Sequence, residues 1–239
     1  MPTALKEWVA TDVAAFCKKS PVDAAHTAFF RDPPRVMWGN RELFAAPADG
    51  VITTQGRFDP EADLVDVKGS KTAINDLLGP HAIDGPALVS AIFMTFADVH
   101  INRAPTDCIM TRHPLPPIRT ANQPMLFAER GLLEEAKILR ADLGFMRTNG
   151  RVVNKCFCGP LRDTYYLVQI ADSDVNVIVP FKEVPTATCR QNERFGMIRW
   201  GSMCVLILPL DPRYKFRTLC KVADHVEAGN DALVRVDCC

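Results

Sequence analysis

Gly201-Ser202 lies in the run Arg199-Trp200-Gly201-Ser202-Met203-Cys204-Val205-Leu206-Ile207-Leu208-Pro209, between two apolar stretches near the C-terminus. A serine hydroxyl becomes a nucleophile when a neighbouring base takes its proton. His100, in Asp98-Val99-His100, is the candidate base and proton donor, because an unperturbed imidazole titrates near neutrality. Asp49, in the pair Asp49-Gly50, is the candidate carboxylate to orient that ring, by the logic of an Asp-His-Ser arrangement. Each has a plainer reading. Gly201-Ser202 reads equally as a kink in a strand, Asp49-Gly50 as a tight turn, and a lone histidine as a satisfied core or surface residue.

Four islands turn these single residues into a pattern. They are Phe29-Phe30-Arg31-Asp32-Pro33, then Pro47-Ala48-Asp49-Gly50-Val51-Ile52, then Asp98-Val99-His100-Ile101-Asn102-Arg103-Ala104-Pro105, and last Phe195-Gly196-Met197-Ile198-Arg199-Trp200-Gly201-Ser202. In order and spacing they resemble the phosphatidylserine decarboxylase family, its shorter members above all. The resemblance covers nearly the whole chain.

What the resemblance implies is self-cleavage. The Ser202 hydroxyl attacks the carbonyl carbon of Gly201 and turns the amide into an ester. A base then removes the α-proton, and elimination breaks the chain. Gly201 has no side chain, which permits the strained backbone such an attack needs. Position 202 becomes dehydroalanine and hydrolyses to a pyruvoyl group, the enzyme's own cofactor, leaving chains 1–201 and 202–239. That ketone would take a substrate amine as a Schiff base and act as the electron sink for loss of carbon dioxide. The family's usual substrate is phosphatidylserine, converted to phosphatidylethanolamine. A soluble amino acid or an amino-acid-derived metabolite is the rival substrate, and a non-catalytic barrel-sandwich binding module is the rival class. The implied site is Ser202, His100 and Asp49 for catalysis and Gly201-Ser202 for cleavage. Arg103 and Lys68 are candidate substrate contacts; Arg103 serves equally well as a structural ion pair, and Lys68-Gly69 as a strand-ending turn. The chain departs from the pattern at Arg103, where many members carry a second histidine. It also departs at Met203, and at Val153-Asn154-Lys155, a poor match to the family's Asn-Glu-Arg.

These residues need elements to hold them. Leu5, Trp8, Val9, Val13 and Phe16 fall at helical spacing, which predicts an amphipathic helix over about 4 to 19. Prolines at 33 and 34 exclude a continuing helix. Short β-branched or apolar runs predict strands at Val51–Thr54, Leu64–Val67, Val152–Phe157, Tyr165–Ile170 and Val175–Val179. Ala87–Phe96, polar only at Ser90 and Thr95, reads as one continuous apolar run of strand length and so as a buried strand. Ala73–Leu78 reads as one or two helical turns ending at Gly79-Pro80, and Leu132–Arg140 has helical character. Thr111–Pro124 reads as a surface loop. Lys221–Val236, with a turn at Glu227-Ala228-Gly229-Asn230, resembles the β-hairpin of biotinyl/lipoyl-like barrels. The expected fold is α+β, a mainly antiparallel β core of barrel-sandwich type. The expected division is an N-terminal helical segment, 1–28, and a catalytic domain, 29–239.

Composition narrows the partners. The chain has 239 residues, 48% of them apolar, enough to bury a substantial core. Basic and acidic residues balance at 28 each, which gives no reason to expect nucleic acid. No run is long enough to span a bilayer and no secretory signal opens the chain, so a cytoplasmic protein is expected, with peripheral membrane contact and a homo-oligomeric state. Nine irregularly spaced cysteines lack paired zinc-type spacing and read as reduced, mostly buried thiols; no metal is expected.

Overall fold

The computed structural model describes residues 1–24, 31–36, 39–61, 65–67, 70–117, 125–138, 145–159, 161–172, 178–199 and 202–238. Strand β1 (Thr3–Ala4) leads into helix α1 (Leu5–Trp8), which continues through a π-helical turn, Val9–Val13, into α2 (Ala14–Phe16). Leu5, Trp8 and Val13 are the buried stripe of this segment, as their spacing predicts. Then follow α3 (Pro21–Ala24), β2 (Leu43–Ala45), β3 (Gly50–Phe58), β4 (Val65–Val67), β5 (Ser70–Thr72), α4 (Ile74–Leu78), β6 (Ala87–Met94), β7 (Ile101–Arg103) and β8 (Cys108–Leu115). Helices α5 (Leu126–Glu134) and α6 (Phe145–Thr148) precede β9 (Arg151–Cys158), β10 (Asp163–Ile170), β11 (Ile178–Pro180), β12 (Thr186–Cys189) and β13 (Arg194–Ile198). The chain ends with β14 (Ser202–Pro209), β15 (Tyr214–Thr218), β16 (Asp224–Val226) and β17 (Ala232–Cys238).

Nine strands form the main sheet in the order β1-β16-β3-β6-β14-β10-β9-β8-β12. Two three-stranded sheets, β11-β13-β7 and β15-β17-β2, and the pair β4-β5 complete the described strands, and every pairing is antiparallel. The architecture is therefore α+β with an antiparallel β core. The main sheet is open, with β1 and β12 at its edges.

Both faces of this sheet are covered, which is why its central strands β6 and β14 are apolar at nearly every position. Along β14, Met203, Val205 and Ile207 enter one core with Leu5, Trp8 and α4, while Cys204, Leu206 and Leu208 enter the other with Phe44 and Val234 of the small sheet β15-β17-β2. Strand β6 divides in the same way, with Val89, Ala91 and Phe93 on the helical side and Leu88, Ile92 and Met94 on the other.

Two expectations need correction. Thr111–Leu115 is not loop but the second half of β8, paired with β9 as far as Leu115↔Arg151. Strand β12 pairs only up to Thr111, so Pro114 stands where that side of β8 has no neighbour to receive an N–H. The rest of the expected loop, 118–124, lies outside the described residues, as do 139–140 of the expected second helix and 175–177 of an expected strand. The C-terminal segment is also not a hairpin. Strand β16 joins the main sheet beside β3, whereas β17 joins β15 and β2. Val226, Leu233, Val234 and Val236 all enter the core between the two sheets, so the turn after Val226 passes the chain from one wall of that core to the other.

Candidate active site

Gly50 has φ +145°, and a Cβ there would lie 2.1 Å from the Phe93 carbonyl oxygen. Only glycine lets β3 approach β6 this closely. That approach fixes Asp49 at the head of β3, buried at 2% exposure. Asp49 Oδ1 accepts a hydrogen bond from the Ala228 backbone N–H at 2.7 Å, and Oδ2 pairs with Arg35 Nη2 at 2.9 Å. Arg35 Nη1 reaches Glu227 at 2.6 Å. Burial pushes the Asp49 carboxyl up to about 7, and Arg35 offsets only part of that. Asp49 is thus not bonded to His100: both its oxygens are taken by the Arg35–Ala228 side.

The ring of His100 is oriented by a different aspartate. Its Nδ1 lies 3.0 Å from the Asp98 backbone carbonyl. A carbonyl only accepts, so Nδ1 carries the proton and, in the neutral ring, Nε2 carries the lone pair. Burial lowers the His100 pKa to about 4, against the opposing pull of Asp98, which keeps the ring neutral at physiological pH.

The loop between β6 and His100 is clamped along its length. Asp98 Oδ2 accepts from Thr95 N and Thr95 Oγ1, both at 2.8 Å. Glu129 of α5 accepts from Phe96 N at 2.7 Å, and Arg31 donates to the Ala97 carbonyl at 2.9 Å. Asp98 Oδ1 lies 2.7 Å from His225 Nε2, and the Trp8 indole stacks on that imidazole with centroids 4.2 Å apart. Burial alone would raise the Asp98 carboxyl, but His225 and Thr95 outweigh it and hold it below the usual range.

Ser202 opens β14, and its backbone stands opposite Met94, the last residue of β6. Gly201 and Trp200 lie outside the described residues. The chain enters this junction from β13, where Ile198 N–H donates to the His100 carbonyl at 3.1 Å. It leaves beside Met94, whose sulfur is 3.6 Å from Asn102 Nδ2. The backbone on both sides of 199–201 is therefore pinned to the segment Met94–Asn102 that carries His100.

Arg103 spends its guanidinium internally. It donates to the Asn192 carbonyl at 3.1 Å, to Asp32 at 3.2 Å and to the Pro33 carbonyl at 3.3 Å, and Arg194 also pairs with Asp32. Lys68 lies outside the described residues. Asn154 is buried, bonded to the Leu167 carbonyl and Gln169, and Met203 is core. The eight described cysteines are free thiols, six of them buried. Sequence reasoning missed Arg35, Trp8 and His225. Asp98 was in view only as part of a motif, and nothing in the spacing ties it to a histidine 127 positions later.

Fold and site together define an antiparallel α+β chain in which a buried imidazole sits on a segment paired with the backbone on both sides of 199–201. A sequence model of the family described as phosphatidylserine decarboxylase matches residues 22–234. The chain belongs to the phosphatidylserine decarboxylase family. It is similar to the phosphatidylserine decarboxylase proenzyme of Xanthobacter autotrophicus, 33% identical over 185 residues, which cover 77% of this chain and 64% of that one. The proenzyme of the same name from Zymomonas mobilis is 31% identical over 182 residues, 76% of this chain and 61% of the relative. That of Ralstonia nicotianae is 28% identical over 209 residues, 87% and 77%. The chain thus spans just under two thirds of the first two relatives. Among the described residues no helix is long and apolar enough to cross a membrane.

Proposed function

We propose that this chain is a self-processing, pyruvoyl-dependent decarboxylase that cuts between Gly201 and Ser202 and acts on the serine headgroup of a phospholipid. The observation that carries this reading is the bond between Ile198 and the His100 carbonyl, which ties the base-bearing loop to the strand leading into the cleavage site. His100 Nε2 takes the Ser202 hydroxyl proton as oxygen attacks the Gly201 carbonyl carbon, and the Gly201–Ser202 amide becomes an ester. Removal of the α-proton of residue 202 expels Gly201 as a carboxylate. Water then replaces nitrogen at residue 202, and ammonia leaves. The pyruvoyl group so formed supplies an electron sink for decarboxylation. Asp49, its carboxyl raised by burial to about 7 against the opposing pull of Arg35, is the group beside the Arg35–Glu227 pair that titrates near neutral pH.

Arg103, fully engaged with Asp32, Pro33 and Asn192, supports the ion-pair reading over direct contact with a substrate anion. Leu126 and Phe127, 65% and 69% exposed at the start of α5, support peripheral contact with a lipid surface. The β15-β17-β2 sheet packed over the main sheet supports kinship with barrel-sandwich folds.

Denaturing mass spectrometry tests the reading. The expected result is two species, 1–201 and a 202–239 piece blocked at its N-terminus, and a single intact species for Ser202→Ala. An intact parent chain under all conditions, or decarboxylation by Ser202→Ala, defeats the proposal. Turnover of a free amino acid with no binding to anionic vesicles would move the substrate away from lipid.

A further inference from the structure

The chemistry above uses His100 and leaves a second buried histidine without a task. His225 lies on β16 at 7% exposure, with Nε2 2.7 Å from Asp98 Oδ1 and its ring stacked on Trp8. Asp98 divides three duties among three oxygens. Oδ1 meets His225, Oδ2 receives both Thr95 donors, and the backbone oxygen receives His100 Nδ1–H. A carboxylate this deeply buried stays ionised only when a cation and hydrogen bonds compensate its lost hydration. His225 is the partner able to carry that charge: among the described residues no other ion pair reaches Asp98. Without it Asp98 would take up a proton, and a protonated carboxyl accepts fewer hydrogen bonds. The Thr95–Asp98 turn would then slacken, and the Asp98 carbonyl with it.

We propose that His225 is a positioning residue for self-cleavage: it holds the Asp98 carboxylate, and through Asp98 it fixes the tautomer and direction of the His100 ring. The inference rests on the self-processing reading above and adds to it a residue that never touches the reacting atoms. Consistent with this, Asp98 outweighs burial and raises the pKa of His225, with Asp49 and Glu227 adding to the pull.

Purified uncleaved precursor carries the first readout. His225→Ala is expected to cleave about 10–100-fold more slowly, by analogy with removal of the outer partner that orients a metal-bound histidine. His225 borders a cavity of about 290 Å³ lined also by Trp8, Asp49 and Asp98, so added imidazole has a path to the vacated place and is expected to restore much of the rate. His225→Gln, which keeps an N–H for Asp98, is expected to fall between parent and alanine variant. A folded His225→Ala that cleaves at the parental rate overturns the proposal. If that variant loses cooperative unfolding, His225→Gln decides: a parental rate overturns the proposal and a slowed rate supports it. The second readout needs no cleavage. In the Ser202→Ala chain, ¹⁵N spectra of labelled histidine should show His100 as the Nδ1–H tautomer, and should lose that single state in Ser202→Ala/His225→Ala. If the parent never cleaves, the self-processing reading falls by itself, and an unchanged His100 spectrum then also removes His225 as its positioner.

Discussion

At the scale of single residues, one physical cause moves two site groups in opposite ways. Burial lowers His100 from 6.5 to about 4 and raises Asp49 from 3.8 to about 7, because in each case it disfavours the charged form. The consequences for stability have opposite signs. Between about pH 6.5 and 4 the unfolded chain binds a proton at His100 that the folded chain refuses, so stability falls as pH falls. Between about pH 7 and 4 the folded chain holds a proton on Asp49 that the unfolded chain has released, so stability rises as pH falls. At 1.36 kcal/mol per pKa unit the effects amount at most to about 3 kcal/mol for His100 and about 4 kcal/mol for Asp49, and in the parent they largely cancel. Single variants separate them. In the Ser202→Ala background, urea midpoints between pH 7 and 4 should drop more steeply for Asp49→Asn than for the parent, and should rise toward acid for His100→Gln. Parallel curves for all three proteins would mean that these groups are not held as the geometry requires. The rate of self-cleavage should also fall below about pH 4, where a protonated His100 has no lone pair to offer.

At the scale of elements, the site depends on how closely β3 approaches β6. Gly50→Ala places a methyl group 2.1 Å from the Phe93 carbonyl oxygen and 3.0 Å from Ile92 Cγ2, at a φ that alanine avoids. It should cost more than about 1 kcal/mol in urea unfolding and slow self-cleavage by moving Asp49 off Arg35 and Ala228. A parental midpoint would show that the strands have room to part. Strands β6, β9 and β10 and the buried stripe of the N-terminal helix were legible in the sequence. Those elements announce themselves because alternation and apolar runs record which faces meet a core. What alternation does not record is which strand lies next to which. Val226 and Val234 look like two arms of one hairpin, yet they belong to facing sheets, because both positions bury the same kind of side chain in the same core. The same limit explains the Asp49 assignment: residue types suggested an Asp-His pair, but the partner of the site histidine is the carbonyl of Asp98, two positions away. Asp98 and His225 met only when β16 was laid along β3.

At the scale of the whole molecule, the proposed cut falls where the chain can least come apart. Residues 202–239 begin with β14, which sits inside the main sheet between β6 and β10. It is in register with β6 from Ser202↔Met94 to Pro209↔Ala87, and with β10 from Ile170↔Met203 to Tyr166↔Ile207. Strand β16 adds pairing with β1 and β3, and β17 with β2, so three strands of the piece are bound to the larger chain. Cys204, Val205, Leu206 and Ile207 are completely buried, and each large apolar side chain among them contributes about 1.5–3 kcal/mol by leaving water. Breaking one peptide bond removes none of these contacts. Native mass spectrometry of the cut protein should therefore show the 1–201 and 202–239 pieces together, and urea should release the small piece only in the transition that unfolds the large one. Release of 202–239 without denaturant would place β14 at an edge rather than in the interior of the sheet, and would remove the structural reason why a chain can be cut beside its own active site and remain folded around it.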